Sequence, residues 1–143
     1  MQAKKIMTTD VECISPGTQI QEAAQKMKSL DVGFLPVCEN DRLVGTVTDR
    51  DIVLRVIAEG KDVKNSKVRE VMTSDVFWCY EDQTSDDIAD FMASKEIRRV
   101  LILNRDKKLV GVISIGDLAQ ARGVQKKAGE TIKAISQASS EAA

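Results

Sequence analysis

The sequence predicts an α/β (α+β) fold of two pseudo-symmetric units, because the chain repeats itself and each copy alternates apolar strands with amphipathic helices. GTVTDRDI at 45–52 matches GVISIGDL at 111–118, and the opening IMTTDV at 6–11 matches VMTSDV at 71–76. With 143 residues, 43% of them hydrophobic, the chain can bury a sizeable core. A duplication of this kind predicts two lobes packed through their sheets, with clefts for a small ligand between them.

The spacing of the repeat predicts the domain boundaries. Met7 and Met72 are 65 residues apart, whereas Asp51 and Asp117 are 66 apart, so the second copy holds one extra residue. The turn near Lys107 accommodates it most economically. The expected segments are a first motif at 1–60, a polar linker at 61–70, a second motif at 71–123, and a C-terminal helix and tail at 124–143.

Each unit is expected to run strand, helix, strand, strand, helix. In the first unit a strand at Val11–Ile14 ends before Pro16. Thr18 is predicted to cap a helix that reaches about Leu30, with Gln21 three residues later as the second member of the capping box. The apolar stripe of that helix comprises Ile20, Ala23, Ala24 and Met27.

A hairpin and a second helix complete the first unit. Two strands, Phe34–Cys38 and Leu43–Val47, flank the turn Glu39–Arg42. A helix over about Asp49–Ala58 follows, and Gly60 suits its C-terminal end. The side chains expected to face inward are Ile52, Val53, Val56 and Ile57.

The second unit repeats this order. Thr84 is predicted to cap a helix that reaches about Ser94 and turns Ile88, Phe91 and Met92 inward. A short helix follows Ser114 and ends near Gly123, and the tail is helix-compatible from Val124 to Ile135, packing either on its own domain or on a partner. Residues from Ser139 onward should fray. The expected strands are Val76–Tyr80, Val100–Leu103 and Leu109–Ile113, with a turn at Asn104–Lys108.

Composition argues against several classes of protein. A net charge of −1 gives no basic field for nucleic acid or anionic membrane, and five aromatic residues offer few platforms for stacked bases. No apolar run reaches the roughly 18 residues that span a bilayer. The opening MQAKKIM has no apolar core of a secretory signal. We therefore expect a cytoplasmic protein with no nucleic-acid or membrane partner.

Histidine is absent and the cysteines are few, which bears on metals and catalysis. Cys13, Cys38 and Cys79 are widely spaced with no C-x-x-C pair, so no metal site is expected. All three fall in predicted strands, where a free thiol usually behaves as a small buried hydrophobe. Without histidine the commonest general base and the histidine-dependent hydrolase triads are missing, so no enzyme is expected.

The motif Gly-apolar-x-apolar-[Ser/Thr]-x-x-Asp occurs twice, each time where a strand runs into a helix. A hydroxyl there caps the helix, and free N–H groups with the positive end of the helix dipole favour an anion. The aspartate lies in the first helical turn, where a carboxylate can accept two hydrogen bonds from a ribose diol. The motif residues are Gly45, Thr48 and Asp51 in the first copy and Gly111, Ser114 and Asp117 in the second.

Two interpretations of this motif compete. A single copy would favour a simple capping pair, in which the hydroxyl and the carboxylate only satisfy the helix start. Two copies at equivalent places of a repeat favour a ligand site.

These repeats resemble the cystathionine-β-synthase (CBS) domain, and their pairing resembles a Bateman module. The resemblance covers about residues 6–123 and rests on the two openings, on DVGFLPV and EIRRVLI, and on GTVTDRDI and GVISIGDL. No enzyme domain accompanies the repeats. The chain is therefore similar to stand-alone two-CBS proteins of bacteria and archaea, of the hypoxic-response type, which carry a short C-terminal extension.

The resemblance implies AMP, ADP or ATP as ligands, less often NAD(H) or S-adenosylmethionine, with no obligate cofactor. In the second cleft it implies Asp117 at the ribose and Ser114 near the phosphate. Arg98 and Arg99 fall where such proteins often place phosphate-facing side chains, and a guanidinium suits phosphate because it donates in a planar fork. The residues implied around the base are Val32, Gly33, Thr8 and Val11.

In the first cleft the resemblance gives Asp51 and Thr48 these roles, with Ile97 and Val76 against the base. The counterpart of Arg98-Arg99 is the uncharged pair Gly33-Phe34; Arg50 is a candidate to compensate, or points to water. We therefore predict unequal clefts, with the Asp117 cleft the tighter. The second repeat departs from the family pattern in having Leu101 for Pro36 and Glu81-Asp82 for Pro16-Gly17.

Two functions stay open. The leading one is a non-catalytic regulatory module that binds an adenine nucleotide and acts as an energy or stress sensor through dimerisation or an unidentified protein partner. A homodimer is expected because apolar helix faces, such as Val53 with Val56 and Ile88 with Met92, need covering. The alternative is an interaction protein with vestigial clefts and no physiological nucleotide. An enzyme using the two motif aspartates is a distant third.

Overall fold

The computed structural model describes residues 1–121 and 129–136, and these residues form two compact units. One comprises residues 12–76 and is called the 12–76 unit below. The other joins residues 1–11 to the chain from Phe77 onward and is called the split unit. Each unit has its own small sheet and its own apolar core, as the predicted mixed α/β fold requires.

The 12–76 unit is built on a two-stranded antiparallel sheet. Its elements are α1 (Ile20–Leu30), β1 (Phe34–Glu39), β2 (Arg42–Thr48) and α2 (Asp49–Ile52), which continues as a π-helical turn (Val53–Ile57). Asn40 and Asp41, in the connecting turn, adopt left-handed backbone with φ of 53° and 65°. Such turns suit the twist of a hairpin, and asparagine and aspartate tolerate them best after glycine. The core includes Ile20, Met27, Leu35, Val37, Val47 and Val56.

The split unit has a three-stranded sheet in the order β3-β4-β5, with β3 parallel to β4 and β4 antiparallel to β5. The parallel pair needs a crossover, and α3 supplies it. The elements are β3 (Trp78–Tyr80), α3 (Ser85–Lys95), β4 (Arg99–Leu103), β5 (Leu109–Ser114), α4 (Ile115–Gln120) and a helix, α5, at 129–136. The core includes Cys79, Ile88, Met92, Ile102, Ile113 and Leu118.

The opening segment of each sequence repeat pairs with the sheet of the other repeat. Thr8, from the opening of the first repeat, pairs with Val112 on β5, with N–H to carbonyl distances of 2.9 and 3.0 Å. Thr73, from the opening of the second repeat, pairs in the same way with Thr46 on β2. The compact units and the sequence repeats therefore have different boundaries. The predicted limits of 1–60 and 71–123 stay a prediction about the repeats.

The extra residue expected near Lys107 is confirmed. In the first repeat Glu39 pairs with Arg42 across a tight turn. In the second repeat the Asn104 N–H donates to the Lys108 carbonyl at 2.9 Å, so the turn holds one residue more. Lys107 takes a left-handed conformation, with φ of 61°, and this closes the longer turn.

Two predictions for the start of the 12–76 unit are wrong. Val11–Ile14 is not a strand, because only Ile14 is paired, through one parallel bridge to Val37. Thr18 does not cap α1. Gln19 is the N-cap and makes no side-chain bond, while the Thr18 hydroxyl accepts the Ser15 N–H at 3.2 Å and closes the preceding turn instead. In the split unit, β3 begins at Trp78 rather than at Val76.

The helix predicted over Asp49–Ala58 is only partly α-helical. From Val53 it widens into a π-turn, in which the Ala58 N–H donates to the Val53 carbonyl at 2.9 Å, five residues back. An α-helical period of 3.6 no longer applies there, so two of the four side chains expected to face inward face solvent. Val53 and Ile57 are 54% and 58% exposed. Ile52 and Val56 are buried as predicted.

Other burial predictions need smaller corrections. Ala24 is exposed on α1, because the core-facing stripe is narrower than the spacing suggested. Phe91 is only partly buried and packs against the edge of the core. Cys13 is exposed, because its segment lies outside the sheet, and Cys38 is half-buried; only Cys79 is the buried thiol that was expected.

The C-terminal helix packs on its own unit. Ile135 of α5 is buried, and the Thr131 hydroxyl donates to the Ala89 carbonyl of α3 at 3.3 Å. Ile132, one turn away, is exposed. The capping prediction at Thr84 for α3 is also confirmed. The predicted helix end near Gly123, helix start at Val124 and fraying after Ser139 lie outside the described residues.

Candidate functional site

Both copies of the [Ser/Thr]-x-x-Asp motif form a complete capping box at a helix start. In the first, the Asp51 N–H donates to Thr48 Oγ1 at 3.0 Å and the Thr48 N–H donates to Asp51 Oδ2 at 2.9 Å. In the second, the Asp117 N–H donates to Ser114 Oγ at 3.1 Å and the Ser114 N–H donates to Asp117 Oδ2 at 2.8 Å. Each box satisfies two backbone donors that the helix leaves unpaired.

The same box also occurs where no ligand site is predicted. At the start of α3, the Asp87 N–H donates to Thr84 Oγ1 at 3.1 Å and the Thr84 N–H donates to Asp87 Oδ2 at 3.4 Å. The motif alone is therefore a common way for this chain to begin a helix. What could make one copy a ligand site is the set of groups around it.

The second copy is surrounded by several of the predicted site residues. The Arg98 carbonyl accepts the Ile115 N–H at 2.9 Å, and Arg99 pairs with Ser114 in the β4–β5 register. Thr8 pairs two residues upstream on β5. The fold therefore brings Thr8, both arginines, Ser114 and Asp117 to one end of the β5 strand. Ile97 and Val11, both half-buried, belong to the same unit.

The capping box uses only one oxygen of Asp117. Oδ2 accepts the Ser114 N–H, whereas Oδ1 accepts no hydrogen bond from the part of the chain that the structure describes. The side chain is half-buried, so solvent or a ligand can reach it. A carboxylate oxygen held in this way is a fixed acceptor for a hydroxyl donor.

The first copy has a different environment. Arg55, on the following turn, places its Nε 3.9 Å from Asp51 Oδ1, and the Asp51 side chain is 14% exposed. The Arg55 Nη1 also donates to the Val71 carbonyl at 2.8 Å, which holds the guanidinium in place. The residue at the corresponding place in the second repeat is Ala121, which carries no charge. The second oxygen of Asp51 thus faces a cation, whereas no ion pair of Asp117 is found within residues 1–121 and 129–136.

The backbone geometry confirms which residues correspond between the copies. The Gly33 carbonyl accepts the Asp49 N–H at 2.9 Å, as the Arg98 carbonyl accepts the Ile115 N–H in the split unit. An added Cβ on Gly33 would lie 3.0 Å from Asp49 Oδ2. The 12–76 unit therefore has a carboxylate and no cation where the split unit has an arginine and an isoleucine. The formal charge of this residue pair is therefore −1 in the 12–76 unit and +1 in the split unit.

Several predicted site residues lie apart in the chain from the aspartate they were assigned to. Val32 is 39% exposed and lies with Gly33 in the 12–76 unit, whereas Asp117 belongs to the split unit. The half-buried Val76 belongs to the same unit as Asp51, to which it was assigned. Their expected approach to the base remains a prediction. The same holds for Ile97 beside Asp51. Arg50, the candidate to compensate in the first copy, is exposed.

A cavity beside Arg98 escaped the sequence interpretation. It has a volume of about 240 Å³ and is lined by Arg98 and Ile115 from the site and by Ile132, Ile135 and Ser136 of α5. The sequence indicated a helix-compatible tail but not the surface on which it docks. Only the fold places α5 next to Arg98, the side chain predicted to bind phosphate.

The described residues contain neither a cluster of metal-ligating side chains nor a membrane-spanning helix. Within 1–121 and 129–136, no group of three His, Cys, Asp or Glu side chains is placed to hold a metal ion. The same residues contain no helix that is both long and apolar enough to cross a membrane.

Comparison with known proteins decides the family. The family model described as CBS domain matches residues 3–58 and residues 68–123, which is most of the chain. The chain belongs to the CBS domain family. Two CBS domains in tandem make a typical regulatory module.

Individual CBS proteins match over nearly their whole length. CBS domain-containing protein YhcV of Bacillus subtilis is 40% identical over 93% of this chain and 94% of its own. The crystal structure of Hypoxic Response Protein I with two coordinated zinc ions is 30% identical, with a TM-score of 0.75 over 84% of this chain and 98% of that one. This confirms the predicted resemblance to the hypoxic-response type.

A third CBS protein was solved with a nucleotide. CBS domain protein PAE2072 from Pyrobaculum aerophilum, complexed with AMP, has a TM-score of 0.76 over 90% of this chain and 98% of that one. At 24% identity it shares the fold.

Proposed function

We propose that this CBS pair is a non-catalytic regulatory module that binds an adenine nucleotide, AMP, ADP or ATP, at the Ser114–Asp117 helix start of the split unit. Asp117 Oδ1 would accept the ribose hydroxyls, and Ser114 with the N-terminus of α4 would face the phosphate. Arg98 and Arg99 would neutralise the phosphate charge. Occupancy would then be relayed as an energy or stress signal, through a second copy or a partner protein.

One observation carries the proposal. The capping box fixes Asp117 through Oδ2 and leaves Oδ1 without a donor among the described residues, in the unit that also contributes Arg98. A structural cap alone explains the first oxygen and leaves the second, in the same unit as Arg98, with no role. AMP in the structure of PAE2072 supports an adenine nucleotide as the ligand class.

The same reasoning supports unequal sites. Asp51 Oδ1 already faces the Arg55 guanidinium, which competes with a ribose hydroxyl. Asp49 adds a negative charge where the split unit has Ile115. We expect the first copy to bind phosphorylated nucleosides more weakly, or only at higher concentration.

A thermal-shift assay with AMP, ATP, NADH and S-adenosylmethionine tests the proposal. A ligand present at about 100 times its dissociation constant adds about 2.7 kcal/mol to the free energy of unfolding. We expect AMP or ATP to raise the melting temperature of the wild type and not that of Asp117→Asn. The asparagine keeps an oxygen for the cap but loses the charged acceptor. No shift with any of the four compounds would remove the nucleotide proposal.

A second function has its own support. Because Thr84 and Asp87 form the same box at the start of α3, helix capping alone explains the motif wherever it occurs. On this interpretation the chain is an interaction protein whose nucleotide sites are vestigial. Native mass spectrometry of freshly purified protein separates the two functions, because it reports any co-purified nucleotide together with the number of subunits.

We further propose that the module acts as a homodimer, through a surface that shares only Val53 with the faces that the sequence indicated. Val56, Ile88 and Met92 are fully buried within their own units and cannot contact a second copy. The π-turn instead exposes Val53, Leu54 and Ile57 together. Replacing Val53 and Ile57 by glutamate should yield monomers in sedimentation velocity, whereas the same change at Ala24 should not.

A further inference from the structure

Two cysteines that are distant in sequence lie side by side in the 12–76 unit. The Sγ atoms of Cys13 and Cys38 are 2.8 Å apart, although 25 positions separate the residues. Both are free thiols, Cys13 exposed and Cys38 half-buried. The third cysteine, Cys79, is buried in the core of the split unit. Only the first two can react with each other and with a solute.

The backbone holds this pair in place. The Ile14 N–H donates to the Pro36 carbonyl at 3.0 Å, and the Cys38 N–H donates to the Ile14 carbonyl at 2.9 Å. These two bonds fix the residue after Cys13 against β1. A disulfide has an S–S length of about 2.05 Å, so the two sulfurs need to approach by only about 0.8 Å. The register shift in β1 between Val37 and Cys38 gives the strand a local irregularity at this point.

The two thiols differ in acidity. The hydrogen bond from Cys38 is the main cause that lowers the pKa of Cys13, and Lys26 adds to it, while burial opposes both. The same hydrogen bond is the main cause that raises the pKa of Cys38, and burial adds to it. Cys13 is therefore the more acidic thiol and the better nucleophile of the pair, and it is also the more exposed of the two. Burial raises the pKa of Cys79 to about 11, which keeps that thiol protonated.

We propose that Cys13 and Cys38 form a reversible dithiol–disulfide site whose co-substrate is a small disulfide of the glutathione type. The Cys13 thiolate attacks one sulfur of the small disulfide, forms a mixed disulfide and releases one thiolate. Cys38 loses its proton to solvent and attacks Cys13 Sγ, which expels the second thiolate. The protein loses two electrons and two protons, and the small disulfide becomes two thiols.

The product would cross-link the start of the 12–76 unit to the end of β1. The closed loop contains all of α1 and most of β1. A cross-link of this kind restricts the unfolded chain, and a loop of this length is expected to raise the melting temperature by about 10 °C. Oxidation would thus stabilise the unit that holds the Asp51 copy of the motif.

The test uses the full chain treated with oxidised glutathione at neutral pH, followed by intact mass, a count of free thiols after denaturation, and peptide mapping. We expect the wild type and the control Cys79→Ala to lose two hydrogen masses and two thiols without keeping glutathione. Cys38→Ser should stop at a glutathione adduct on Cys13. Cys13→Ser should react more slowly than Cys38→Ser, because Cys38 is the less exposed thiol.

Three results would overturn the proposal: full retention of the wild-type thiols, stable glutathione adducts on both cysteines, or a cross-link that involves Cys79. If either serine variant fails to fold, the peptide map of the oxidised wild type decides alone. Reduction by excess reduced glutathione must restore all three thiols, and a bond that resists it would contradict a reversible site.

Discussion

Gly111 packs against the backbone of Thr8, and this contact explains why the repeated motif has a glycine at this position. An added Cβ at Gly111 would lie 2.9 Å from the Thr8 carbonyl oxygen and 2.5 Å from Met7 Sδ. At Gly45 the equivalent distances are 2.8 Å to the Thr73 carbonyl oxygen and 3.0 Å to the sulfur of Met72. The opening of each repeat can cross the last strand of the other only over a residue without a side chain.

Gly111→Ala is therefore expected to lower the free energy of unfolding by about 1–3 kcal/mol, because the methyl group meets backbone that cannot move aside. Gly45→Ala should behave in the same way. Chemical denaturation followed by circular dichroism measures both. Gly116→Ala is the control, since its Cβ would lie 3.5 Å from the Ser114 hydroxyl oxygen, which is ordinary contact. An equal loss in the control would show that crowding is not the cause.

The sequence was sufficient to predict elements whose periodicity and caps agree. Thr84 and Asp87 combine a capping box with an apolar stripe, and α3 forms where predicted. The sequence was insufficient where two local conformations compete for the same residues. Thr18 has the chemistry of an N-cap, yet its hydroxyl closes the preceding turn instead. The π-turn after Ile52 breaks the period of 3.6 from which the inward face was inferred, so Val53 was misplaced.

The candidate site was partly predictable for a related reason. The motif aspartates and the arginines at 98–99 could be named because their spacing repeats. The contact of Asp51 with Arg55 has the i,i+4 spacing of a helical ion pair and could have been found from the sequence. The cavity beside α5 joins residues whose spacing carries no such signal. The exchange of Thr8 and Thr73 between units was equally hidden, because sequence similarity identifies equivalent segments but not the sheet to which each one pairs.

Three matched variants separate capping from ligand binding. Each of Asp51→Ala, Asp87→Ala and Asp117→Ala removes the carboxylate half of one capping box and should cost about 0.3–1 kcal/mol of stability. Only Asp117→Ala should also abolish most AMP binding in isothermal titration, while Asp87→Ala binds as the wild type does. If Asp51→Ala abolishes binding and Asp117→Ala does not, the ranking of the two sites is wrong.

The docking of α5 should depend on one side chain. Ile135→Asp places a charge in a buried position and is expected to release the helix, which hydrogen exchange would detect as loss of protection at residues 129–136. Ile132→Asp is the control on the same helix, because Ile132 is 43% exposed. Protection of β4 should survive both changes, and its loss would indicate that α5 supports the whole sheet.

If charge causes the difference in AMP affinity between the two copies of the motif, exchanging the charged residues should transfer the higher affinity. Gly33→Arg combined with Asp49→Ile gives the 12–76 unit the pair that the split unit has at Arg98 and Ile115. Each charge-assisted hydrogen bond to phosphate is worth about 1.5–3 kcal/mol, so affinity at the Asp51 copy should rise roughly tenfold to a hundredfold. Titration calorimetry would then report two sites of similar affinity for AMP.

The reciprocal exchange, Arg98→Gly with Ile115→Asp, should weaken the Asp117 copy by a similar factor. Asp49→Ile alone serves as the control for removing the negative charge without supplying a cation. If the double variant gains nothing over that control, the arginine does not reach phosphate, and the inequality of the copies must come from Arg55 beside Asp51 instead. In that case, adding Arg55→Ala to the double variant would raise the affinity of the Asp51 copy for AMP, which the double variant alone did not change.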